Sequence, residues 1–156
     1  MYVDATAYLR LAPAGREVVL AHELTHLATG AASDPKVPVW LEEGFADYIG
    51  FLGAQIDVRT AAHAAISQVH AVGPPTGLPR DEDFAATGPA LAVAYAEGWL
   101  MCRWFAQAYS QAALVEVYHR VAHGGTSLAG AVERVTGRPL ADAVAGWAAY
   151  VTALAR

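Results

Sequence analysis

His22, Glu23 and His26 stand in the order His-Glu-Leu-Thr-His, the first place where this chain can do chemistry. On a helix, residues four apart project about 40° from one another, so both imidazoles can reach one tetrahedral metal ion. Glu23 lies beside them, where it can take a proton from an attacking water without being a ligand itself. A second set of carboxylates follows in Trp40-Leu41-Glu42-Glu43-Gly44-Phe45-Ala46-Asp47-Tyr48. Glu43 and Asp47 are one turn apart and share a face. Glu43 can supply a third ligand and leave the fourth position for water, the open arrangement a catalytic zinc ion needs. Asp47 is placed to accept a ring N–H from His22 or His26, fixing that ring's tautomer and orientation.

Such an arrangement requires two helices held side by side. Leu20, Leu24 and Leu27 recur at helical spacing, which predicts a helix from near Gly15 to Gly30 that anchors these leucines in the core and turns its histidines the other way. A second helix starts near Val39, with Leu41, Phe45, Tyr48 and Leu52 on its apolar face, so Tyr48 reads as packing. A third is expected over about residues 58–72. The stretch 73–88, with Pro74, Pro75, Pro79 and the acidic Asp81, Glu82 and Asp83, reads as a solvated surface loop. Residues 89–109 are apolar on nearly every side, the mark of a central buried helix. Leu114, Val117, Tyr118 and Val121 define the next, closed by Gly124 and Gly125. Thr126 or Ser127 can cap a short helix ended by Gly137. Pro139 opens the last, whose Leu140, Val144, Trp147, Val151 and Leu154 form one stripe. Residues 3–11 alternate as a short strand would.

The 156 residues allow one domain with a real core, and 55% hydrophobic against 16% charged residues excludes disorder. The net charge of -5, without any run of Arg or Lys, argues against nucleic acid as a partner. The longest uncharged stretch, Thr60 to Pro79, is broken by histidines and prolines, so no membrane span is expected. The amino terminus lacks the basic and apolar regions of a signal peptide, which makes the cytoplasm the default address. Cys102 is the sole cysteine, so no internal disulfide forms.

The two motifs, H-E-L-T-H and W-L-E-E-G-F-A-D-Y, resemble the signature of the gluzincin zinc metallopeptidases, the thermolysin-like and M1-like clan, and most closely the short peptidase MA-like domains. G-R-P-L-A-D-A-V-A-G-W-A-A-Y is more loosely similar to the final helix of that group. The resemblance implies a mainly α, zincin-like domain over residues 1–156, with zinc helices at about 15–52 and a helical remainder at about 58–156. It implies Zn2+ as cofactor, Glu43 rather than Glu42 as the carboxylate ligand, Glu23 as catalytic base, and a peptide or protein substrate. The family also places a tyrosine or histidine on a later helix to bond the oxyanion, and Tyr95 in Y-A-E-G-W-L is the residue expected here. A metzincin would need Gly at 29 and His at 32, where this chain has Thr29 and Ala32.

Two departures from the family pattern stand out. Gluzincins carry a β-sheet upstream of H-E-x-x-H, yet only 21 residues precede His22, so at most a strand remnant is expected. The chain has no asparagine and hence no G-x-M-x-N, which argues against an aminopeptidase and leaves an endopeptidase-like cleft. The rival reading is a zinc-binding helical module with little or no peptidase activity, used for binding or regulation. Glu23 argues against that rival, since a structural site has no use for a base. His119 and His123, also four apart, read as cations at a helix end rather than ligands, and His63 and His70 as a partly exposed helix face. Glu97 is expected to pair with Arg103 or another arginine, or to face the site.

Overall fold

The computed structural model describes residues 5–30 and 37–156, with side chains from residue 8 onward in the first segment. Helices α1 (Ala5–Arg10), α2 (Pro13–Thr29), α3 (Val39–Leu52), α4 (Val58–Ala61), α5 (His63–Val72), α6 (Pro89–Ala108), α7 (Gln111–Ala122), α8 (Leu128–Thr136) and α9 (Leu140–Leu154) follow one another, with a 3-10 turn at Asp81–Ala85. No strand occurs among the described residues. The mainly α fold class holds, but the short strand expected over residues 3–11 does not. Ala5–Arg10 is helical, and residues 3 and 4 lie outside the described residues. Alanine, leucine and arginine favour a helix, and a lone strand would have no ladder to satisfy its backbone.

Helix α6 is the hub, with α3, α5, α7 and α9 packed around it. Its Trp99, Leu100, Met101, Cys102 and Phe105 are buried, and Trp147 and Val151 of α9 are fully so. Leu41, Phe45 and Tyr48 on α3 join the same core, while Leu52 at its end is exposed. Phe45 stacks on Tyr118, with ring centroids 4.5 Å apart. The third expected helix divides at Ala62 into α4, capped by Asp57, and α5. Ser127, not Thr126, caps α8.

Two close approaches set the position of α3. A Cβ on Gly44 would fall 2.4 Å from the Gly98 carbonyl oxygen, so the glycine of the second motif is what lets α3 press backbone to backbone on α6. A Cβ on Gly50 would fall 2.9 Å from the Val18 carbonyl oxygen, a second, slightly looser approach that sets α3 against α2. Gly30, at φ 63°, ends α2 in the left-handed region as expected.

Helix α2 meets α3 through Val18 and Thr25, both buried. The leucine repeat is therefore not in the core, contrary to its periodicity. Leu20, Leu24 and Leu27 are 49%, 52% and 62% exposed. Periodicity reports which face of a helix is apolar, and among the described residues no element packs on that face.

Candidate metal centre

Each side chain of the two motifs is positioned by the helix that carries it. One turn of α2 separates His22 from His26, and their rings meet edge to face with centroids 4.6 Å apart. The two Nε2 atoms stand 2.9 Å from each other. Glu43 rises from α3 beneath them, its Oε2 3.3 Å from Nε2 of His22 and 3.6 Å from Nε2 of His26. All three donor atoms lie within 4.8 Å of one another, the only such group of three among the described residues.

The donor set suits a small tetrahedral cation. Donors at about 2.0–2.2 Å from such an ion stand about 3.3–3.6 Å apart, close to the separations here. The outer nitrogens of both imidazoles face carboxylates. Nδ1–H of His22 donates to Oδ1 of Asp47 at 2.7 Å, which turns its Nε2 toward the centre. Nδ1 of His26 faces Oε1 of Glu42 at 3.5 Å. The helical spacing of the motifs alone does not single out this contact. The adjacent Glu42-Glu43 pair is its signal in the chain, since neighbouring residues on a helix project about 100° apart and can approach different atoms of one ligand cluster.

The electrostatics follow from proximity. Burial opposes a charge on His22, but the carboxylates of Asp47 and Glu43 outweigh it and hold the imidazolium up to about 10. Burial likewise opposes ionisation of Glu43, and the two imidazoles reverse this, bringing its carboxyl down to about 2. Burial pushes the Asp47 carboxyl above the usual range despite the bond to His22. The site is thus a compact cluster of acidic and imidazole groups whose charges hold one another in the ionised form.

A cavity of about 300 Å³ opens over these donors, lined by His22, Glu23, His26, Glu43 and Tyr95, with Leu27 also on its wall. Tyr95 comes from α6, and burial together with the facing Glu43 carboxylate raises its phenol, which keeps its proton for donation. Phe84 of the 3-10 turn meets the Tyr95 ring edge to face at 5.2 Å. The same turn is tied to α3, because Asp81 accepts the backbone N–H of Val39 at 3.0 Å. Asp81 is thus more than part of a solvated loop: it caps the helix that carries Glu43, a role that forms only when the loop folds back.

The remaining polar residues lie elsewhere. Arg103 donates to the Tyr150 hydroxyl at 3.1 Å and does not pair with Glu97, which faces neither it nor the metal-type donors. His70 donates to the Ala155 carbonyl at 2.6 Å, and His63 is exposed. Burial pushes the Cys102 thiol up, leaving it an inert core side chain.

A helical domain with a histidine-histidine-carboxylate cluster under an open cavity is metallopeptidase-like in architecture. Residues 5–153 match the family model of the Peptidase MA superfamily, and the chain belongs to that superfamily. No curated protein and no solved structure matches. Among the described residues, no helix is long and apolar enough to cross a membrane.

Proposed function

We propose that this protein is a zinc-dependent peptidase of the gluzincin type, acting within a peptide or protein chain. The observation that supports this most is the convergence of His22, His26 and Glu43 on one point, with Glu23 and Tyr95 on the wall of the same cavity. His22, His26 and Glu43 are the residues that would hold zinc, and Asp47 would keep His22 in its ligating tautomer. Zinc, when bound there, acidifies water toward a pKa of about 7 and polarises a carbonyl. Glu23 takes the proton of the attacking water and returns it to the departing amine. The Tyr95 hydroxyl donates to the oxygen that gains charge as the carbonyl becomes tetrahedral, a contribution of about 2–4 kcal/mol for a single donor. Residues 1–156 are then one metallopeptidase domain, whose α2 and α3 supply the ion's ligands.

Cleavage of an internally quenched peptide, blocked by a chelator and restored by zinc, is the expected behaviour. Glu23→Gln should keep one zinc per chain and the fold while losing about 10²–10⁴-fold in turnover. Wild-type rates in that variant would remove Glu23 from the mechanism. One observation favours the second reading, a zinc-binding module without efficient hydrolysis: Leu27, on the cavity wall, is 62% exposed, so that side of the cavity has little cover. Stoichiometric zinc with no chelator-sensitive cleavage would select that reading.

A further inference from the structure

Helix α6 carries Tyr95 toward the metal-type donors, and Glu97, two residues on, projects about 200° round the same helix. Glu97 lines a different cavity, about 370 Å³ in volume, between α6, the 3-10 turn and α5. Most of its wall is apolar, from Pro79, Pro89, Val93 and Ala94, and its polar groups are Glu97, Asp83 and Gln68. A second hollow of about 510 Å³ under the loop 72–80 shares Gln68, Pro79, Asp83 and Glu97 with the first. Glu97 therefore stands at the waist of one elongated groove.

Nothing among the described residues neutralises this carboxylate. Burial first, and Asp83 second, push Glu97 up to about 7, with no cation or hydrogen-bond donor opposing them. Arg80, the nearby guanidinium, is turned to Asp83 at 3.1 Å and Glu82 at 3.8 Å. A half-buried carboxylate without a partner is costly, and an arriving cation offsets that cost. A divalent metal ion is a poor match, since Glu97, Asp83 and the Gln68 amide are too few oxygens for calcium, and the rest of the wall is hydrocarbon. The combination of a carboxylate, an amide oxygen and apolar walls suits a cationic head on an aliphatic stem.

We propose that the Glu97 groove is a second binding site, separate from the metal centre, for an alkylammonium or guanidinium group of the kind carried by lysine and arginine side chains. Glu97 accepts the charged N–H groups, Gln68 accepts a further one, and Val93 and Ala94 pack the methylenes. The site does not depend on hydrolysis at the other cavity, so failure of either reading leaves the other standing.

The test is titration of the ¹⁵N-labelled protein with Nα-acetyl-lysine-N-methylamide, its arginine counterpart, the neutral isostere Nα-acetyl-norleucine-N-methylamide, and butylammonium. The cationic probes should shift the amides of Gln68, Asp83, Val93, Ala94 and Glu97, and the norleucine probe should bind at least tenfold more weakly. Glu97→Gln, with the rest of its spectrum unchanged, should weaken the cationic probes about tenfold or more. Ala90→Trp, an exposed position on the cavity wall, should block them by filling the groove. Tighter binding of the blocked amino acids than of butylammonium assigns the groove to peptide side chains, and equal binding assigns it to small amines. Equal affinity for norleucine, undiminished binding in Glu97→Gln, or shifts confined to His22, His26 and Glu43 would overturn the proposal.

Discussion

His22 and His26 on α2, and His119 and His123 at the end of α7, share one spacing, and their ring centroids stand 4.6 and 5.2 Å apart. The first pair meets Glu43 between its inner nitrogens and Asp47 and Glu42 at its outer ones. The second finds no third donor among the described residues, and the carboxylate nearest in sequence, Glu116, is bound to Arg120 at 2.7 Å. Two histidines one turn apart are an inexpensive accident of helical sequence. What turns such a pair into a cluster that could hold a metal ion is a neighbouring helix close enough to bring carboxylates to both sides of the rings. Here that closeness comes from glycine, with Gly50 set against α2 and Gly44 against α6.

The comparison breaks most completely if the pairs behave alike. His22→Ala should abolish binding of one zinc equivalent, read by metal analysis after dialysis, while His119→Ala should leave the content unchanged. Equal loss in both would mean that the α7 pair is also a site. The helix contact is probed next. Gly44→Ala places a methyl group against the Gly98 carbonyl, and should lower stability by about 1–3 kcal/mol or more in chemical denaturation. An unperturbed midpoint would show that the close approach is dispensable.

A smaller effect belongs to the outer carboxylate. Asp47→Ala should keep the three ligands but weaken zinc about 10–100-fold in a competition titration, with retained affinity counting against its orienting role. A separate effect, read without any metal, is a pH trend in the metal-free protein. His22 is held up to about 10 against 6.5 when unfolded, so its contribution to stability is complete below about pH 6.5 and is lost as pH rises toward 10. Thermal scans of chelator-treated protein should show a melting temperature falling through that window, and His22→Ala should remove the fall. A flat profile in the parent would mean that the carboxylates do not stabilise the imidazolium.

Much of this was legible in the chain. The helices that carry the two motifs begin and end within a few residues of their signals, because Gly30 and Pro38 act through local backbone geometry. His22, His26 and Glu43 share their faces with the expected spacing for the same reason. The central position of α6 followed from its lack of a polar side. Other features were not legible. The strand expected over residues 3–11 fails because nine residues of alternation are too few to separate a strand from a helix of alanine and leucine. The Glu42 contact to His26 and the Asp81 cap on α3 depend on partners 16 and 42 residues away.

The leucines of α2 draw the line between what sequence and tertiary structure each decide. By itself the sequence determined that this helix has an apolar face and a face of metal-type side chains, since both are consequences of 3.6 residues per turn. Which face would be covered was decided by packing. Gly50 lets the backbone of α3 come close to α2 at Val18, so the helix docks there and leaves Leu20, Leu24 and Leu27 at the surface. Tertiary structure likewise sent Glu97 away from both Arg103 and the metal centre and into its own groove. A side chain's direction on its helix is local, but what it meets depends on every other helix around it.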